Sequence, residues 1–259
     1  MGNVIKAQLY QLKKSSLLYV VFVCVGIMQI TVMMGEIGFD FSLCSAGKYV
    51  AEDGESIAFI SLIFALVLTG YVCGADFNDK TANYELMSGH LRKEIYFGRA
   101  VISLFLGALG TLVLNALPVV VACVMGEFGD TLSVGDVFVR YILSVLPVLR
   151  LICEFVFLSY IVKNGYVVMA LGVVLAMAGQ AWVDIFPNGT AKYMAISNLA
   201  ELLRFPAWET YTLVGEKSIV VYDGVLGAGD ILGTIVSSVV IGGLFLLLGY
   251  LFFNRDDMN

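Results

Sequence analysis

Arg150 and Glu154 stand four residues apart inside an otherwise apolar run, 137–162, and Asp136 and Arg140 stand four apart at its start. That spacing puts each pair on one face of a helix, a turn apart. An ionisable side chain at mid-bilayer costs at least ~2.5–3.5 kcal/mol and therefore faces protein or water. Two chemistries fit such a face. It lines a route for a polar or amphipathic substrate, or its charges neutralise one another and hold a helix interface. A proton relay needs a further acidic group in the core, and the apolar runs 17–34, 57–74, 100–125 and 231–253 contain none. Asn115, Gln29 and Gln180 add uncharged polar groups within apolar runs. Asn115 and Gln180 join Arg140, Arg150 and Glu154 as candidates for a polar path or for hydrogen bonds between helices.

Other chemistry is absent. No GxxxxGK[ST] loop occurs, and Gly215-Glu216-Lys217-Ser218 lacks its glycine spacing. The chain is thus expected not to hydrolyse ATP itself. No HExxH or GxSxG occurs either. His90 is the single histidine, which disfavours metal-dependent or histidine-dependent catalysis. None of the five cysteines forms a CxxC pair. Cys44 and Cys123 could join in a disulfide only if both face the outside.

The elements that must carry these residues follow from composition. The 259 residues are 59% hydrophobic and 14% charged, with a mean hydropathy of +0.90. A soluble domain averages roughly 45–50% apolar and about 25% charged. The expectation is an all-α polytopic membrane protein, since unpaired backbone in lipid leaves only helices for such runs. Six stretches approach the roughly 20 residues a span needs: 17–34, 57–74, 100–125, 137–162, 166–186 and 231–253. Lys163-Asn164-Gly165 is a short turn that makes the fourth and fifth an antiparallel hairpin. Small or polar residues every four positions, Ser103, Gly107, Thr111 and Asn115 in the third span and Thr234, Ser238 and Gly242 in the sixth, allow close helix packing.

Orientation is read from the basic residues. One side carries Lys6, Lys13, Lys14, Lys80, Arg92, Lys93, Arg99, Lys163 and Arg255; the other carries Lys48, Lys192, Arg204 and Lys217. Both termini are therefore expected in the cytoplasm. The net charge of −6 and the lack of a basic stripe argue against a nucleic-acid partner.

Three segments lie outside the spans. Residues 3–16 place Ile5, Leu9 and Leu12 on one helical face beside Lys6, Lys13 and Lys14, which reads as an amphipathic helix in the inner interface. The 25-residue loop 75–99 is long for a helix hairpin. Asp76 can cap a helix there and Gly89 can stop it, so 76–91 is expected to hold a cytoplasmic helix suited to docking a soluble partner. The outer segment 187–230 alternates apolar series with Trp208, Tyr211 and Tyr222, and short helices dipping into the outer leaflet fit it, with a small folded cap as the alternative.

This layout resembles the ABC-2-type permease subunits of ATP-binding-cassette exporters along the whole chain. Two stretches carry the likeness in residue character: Lys80-Thr81 through Arg99, and the ending Gly249-Tyr250-Leu251-Phe252-Phe253-Asn254-Arg255-Asp256-Asp257. The resemblance implies a twelve-span dimer of this chain, or of this chain and a paralogue, in a bacterial plasma membrane. It implies two separate ABC ATPase subunits that bind the ATP and Mg, with no cofactor in this chain. The docking surface would comprise Tyr84, Glu85, Leu86, Met87, His90 and Arg92. The substrate would be a peptide, an antibiotic or a lipid-like molecule, with antimicrobial peptide immunity as one use. The alternative is a secondary transporter or another polytopic membrane protein without an ATPase partner; no internal repeat between 1–125 and 137–259 supports the transporter.

Overall fold

The computed structural model describes residues 2–37, 50–51, 54–74, 77, 85–125, 132–185, 194–212 and 218–255. Within them the chain forms α1 (Gly2–Lys14), α2 (Ser16–Ile37) and α3 (Gly54–Thr69), the last continued by one π-helical turn, Gly70–Gly74. Then come α4 (Arg92–Met125), α5 (Val134–Val162), α6 (Gly165–Ile185) and α7 (Ala195–Leu203). The strands β1 (Ala207–Thr212) and β2 (Ser218–Tyr222) precede α8 (Ala228–Arg255).

Four stretches are long and apolar enough to cross a membrane: Ser56–Gly74, Arg92–Val121, Val134–Val162 and Ala228–Arg255. A fifth is reached if α1 and α2, bent by 64° at their junction, count as one span. In α6 the portion with described side chains is a shorter apolar helix, Gly165–Leu175. These helices are compatible with a multi-pass membrane protein. α3 is the innermost, with 78% of its apolar window buried, whereas only 17% of the α8 window is buried, so α8 forms outer wall. Val239 and Leu247 stand exposed on it, as do Phe105 and Val120 on α4. Such a surface would be a large apolar patch in water and needs no cover in lipid.

The bundle has two ends. At one, Ser15, the π turn, the start of α4, the end of α5, the start of α6 and the end of α8 come together. Tyr71 Oη donates to Ser15 Oγ at 2.6 Å, and Arg92 Nη1 donates to the carbonyls of Phe253 and Asn254 at 3.1 Å each. We call this the terminal end, because α1 and the last turn of α8 both lie there. The α5–α6 turn is tight: Lys163 adopts φ 54° and gives its N–H to Ser159, and the Asn164 side chain accepts from the N–H groups of Tyr166 and Val167. Gly74 packs so closely on Gly165 that a Cβ would overlap its backbone.

At the opposite end α7 and the hairpin close the bundle. The all-α expectation holds for the bundle, but the segment 187–230, expected as short helices, is not helical throughout. Its described part is one nine-residue helix, Ala195–Leu203, and an antiparallel ribbon in which Thr210 pairs with Val220 and Tyr211 with Ile219. The physical reason is the alternation of β-branched and aromatic residues in Trp208–Thr212 and Ile219–Tyr222, which favours strands. A two-stranded ribbon leaves unpaired backbone groups on both edges, so it belongs in water and not in hydrocarbon. A second difference concerns α4, which starts at Arg92, well before the expected boundary at residue 100. Residues 92–99 are charged enough to read as loop, yet Ile95, Tyr96 and Ala100 are fully packed there. Of the expected cytoplasmic helix 76–91, residues 76 and 78–84 lie outside the described residues.

Candidate functional site

The terminal end gathers the residues expected to dock a partner. Glu85, Leu86 and Met87 form a single helical turn, closed by the Gly89 N–H bonding the Leu86 carbonyl at 3.0 Å. Gly89 has φ +91°, a conformation a side chain disfavours, so it is the residue that lets the chain turn into α4. Tyr84 lies outside the described residues. Leu86 packs against the core, and Met87 is 83% exposed, the most open apolar side chain at this end. Leu91, four residues on, is 55% exposed. His90 Nδ1 lies 3.9 Å from Glu94 Oε2.

Two of the six expected docking residues are tied into the bundle. Glu85 Oε2 accepts from Arg99 Nη2 at 2.8 Å, and Arg99 is wholly buried. Arg92 reaches the last carbonyls of α8, where a cation also suits the negative end of the helix dipole. Arg99 is a residue the sequence placed in a loop. A lone arginine beginning an apolar run is the signal that marks it.

Beneath this turn lies an aromatic cluster. The Tyr160 ring sits 4.6 Å from Tyr96, 4.7 Å from Phe253 and 5.3 Å from Phe77. Tyr96 Oη donates to the Leu246 carbonyl at 2.8 Å. Aromatic pairs at these separations contribute about 0.5–1.5 kcal/mol each beyond their burial. The cluster joins α4, α5 and α8.

The polar residues within the spans fall into three separate groups. Asn115 is the centre of a fully buried ladder: Ser61 Oγ donates to its Oδ1 at 3.1 Å, and its Nδ2 donates to Ser144 Oγ at 3.3 Å. This links α3, α4 and α5. Arg150 Nε donates to Glu154 Oε1 at 2.9 Å, the intrahelical pair the spacing predicts. Glu154 borders a cavity of about 160 Å³ that is otherwise apolar, with Phe157, Phe245 and Gly172 among its walls. Arg140 stands at the hairpin end, and its guanidinium is taken up by main-chain carbonyls. It donates to Gly224 and Arg204 at 2.9 Å and to Leu202 and Asp223 at 3.4 Å, and it lies over the Phe205 ring. Arg140 thereby clasps both connections of the hairpin to α5. Gln180 lies on α6, where side chains fall outside the described residues.

Of the residues expected along a path, Arg150 and Glu154 pair with each other, while Asn115 and Arg140 sit in separate hydrogen-bond networks. Next to Arg140 an open cavity of about 380 Å³ collects polar groups that the sequence did not associate, including Asn198, Glu201, Arg204, Asp230 and Thr234. Asn198 Nδ2 donates to Thr234 Oγ1 at 3.0 Å, fixing α7 to α8 along its wall. No three His, Cys, Asp or Glu side chains converge on a point among the described residues. Comparison with protein-family models and with curated proteins finds no match to this sequence.

Proposed function

We propose that this chain is the transmembrane permease subunit of an ATP-driven exporter of the ABC-2 type. In this reading six helices span a bacterial plasma membrane with both termini in the cytoplasm, two copies or a copy and a paralogue pair, and a separate ABC ATPase docks on the terminal end. The ATPase supplies ATP and Mg binding; this chain supplies the gate, and the cargo is a peptide, an antibiotic or a lipid-like molecule.

One observation carries the reading. The exposed Met87 and Leu91 flank a turn whose Glu85 is anchored to the buried Arg99. A partner gripping that knob pulls on α4 directly and on α5 and α8 through the aromatic cluster. Such coupling requires contacts that differ between two states of the gate, not simple proximity. The polar cavity at the hairpin end and the Arg150–Glu154 pair give a moving bundle polar surfaces to present to a cargo.

The test is co-purification from cells expressing this chain with an ABC ATPase encoded beside it. The wild type is expected to retain the ATPase, and Met87→Asp to lose at least about tenfold of it, since a charge in a docked apolar contact costs 1.4 kcal/mol or more. Full retention by Met87→Asp, or no ATPase with the wild type, contradicts the proposal.

A further inference from the structure

A groove of about 480 Å³ runs between the α1–α2 elbow and the faces of α3 and α4. Its walls are apolar side chains, including Leu12, Phe22, Phe64, Leu106 and Leu109, and its one charged wall residue is Lys13. From Leu106 to Val113 it follows α4 for about 10 Å of helix rise, which suits a stretch of acyl chain. Gly110 lies along the groove where a Cβ would overlap the Phe64 ring, so the space there depends on that glycine.

The groove is bounded by fixed parts. The elbow is pinned by the Tyr71 to Ser15 hydrogen bond and by the Ser15 N–H on the Leu12 carbonyl at 3.1 Å. Val4 of α1 packs against Gly98 of α4. α1 has no acidic residue and carries Lys6, Lys13 and Lys14. Lys13 has no ion-pair partner among the described residues. The negative end of the α1 dipole favours Lys13 and Lys14 alike, but of these two only Lys13 lines the groove. Apolar length ending in an unpaired cation, where a helix turns by 64° out of the bundle, is complementary to one kind of molecule present in any membrane. Basic pockets beside membrane helices take anionic headgroups.

We propose that this groove binds one anionic glycerophospholipid, its acyl chain along Leu106–Val113 and its phosphate at Lys13. Neither ATP nor an ATPase enters this proposal, so it stands or falls apart from the exporter reading. The experiment titrates the detergent-purified chain with phosphatidylglycerol or phosphatidylcholine of identical acyl chains and counts bound lipid by native mass spectrometry. The wild type is expected to bind one phosphatidylglycerol about fivefold more tightly than phosphatidylcholine, the equivalent of about 1 kcal/mol for one lysine at an anionic headgroup. Lys13→Glu is expected to erase the preference, Lys13→Arg and Lys93→Glu to keep it, and Leu109→Trp to weaken both lipids by filling the groove. Glycerol phosphate without acyl chains is expected not to compete. Circular dichroism checks that each variant is helical, and the wild-type comparison stands without them. Equal binding of the two lipids by the wild type overturns the proposal. So does a preference that survives Lys13→Glu, competition by free glycerol phosphate, or a second copy of the chain excluding lipid from the groove.

Discussion

Arg99 joins the surface to the interior at the cost of burying a charge. Its guanidinium is wholly buried and meets Glu85 at 2.8 Å. Removing one partner of such a pair leaves the other charge uncompensated, a loss of about 3–5 kcal/mol, whereas replacing both with apolar groups is often neutral. Glu85→Leu is therefore expected to lower unfolding stability in micelles by about that amount, because it strands the buried Arg99 charge, and the double variant Arg99→Met with Glu85→Leu to recover most of it. A single variant no less stable than the wild type would show that the pair does not brace the turn. This arrangement was only half legible in the sequence. Arg92 and Arg99 read as basic flank, because a charged residue before an apolar run fits a loop as well as a first helical turn. What decided between them was tertiary packing, with Tyr96 under Phe253 and Tyr160, which no local pattern announces.

Among the elements, α3 and α5 organise the interior and α8 presents most of its surface outward. The Ser61–Asn115–Ser144 ladder fixes the relative depth of α3, α4 and α5, since all three side chains are fully buried and each must face its neighbour. Intramembrane hydrogen bonds of this kind average about 0.6 kcal/mol, up to about 1.7. Asn115→Leu is thus expected to cost about 1–2 kcal/mol across two bonds, read as earlier unfolding in micelles, with helicity unchanged. No loss at all would mean that the ladder is not a determinant of helix register. The four long spans were plain in the sequence because their apolar runs have no competing explanation. The hairpin was not, because Trp208, Tyr211 and Tyr222 suit an interfacial helix and a strand equally well. Alternation over only five or six residues is too short to separate the two. The carbonyl clasp of Arg140 was also out of reach. Its spacing from Asp136 suggested an ion pair, but its partners are main-chain oxygens up to 84 positions away.

At the scale of the whole molecule, α1 and the end of α8 share one end of the bundle and the hairpin occupies the other. With an odd number of spans between them the chain could not place both termini together. In the proposed topology, single cysteines at Lys6 and Asp257 are expected to label from the cytoplasmic side only, and a cysteine at Glu209 from outside only. Labelling of Lys6→Cys and Asp257→Cys from opposite sides would contradict the six-span topology. The deeper proposal is that this bundle is a gate with no motor of its own. Its most direct test uses the compound whose toxicity rises most when the gene is deleted, loaded outside inverted vesicles. With the chain and its ATPase both reconstituted, ATP is expected to drive that compound inward against its gradient, and with either component omitted no gradient should form. Uphill accumulation by vesicles holding this chain alone would contradict the proposal.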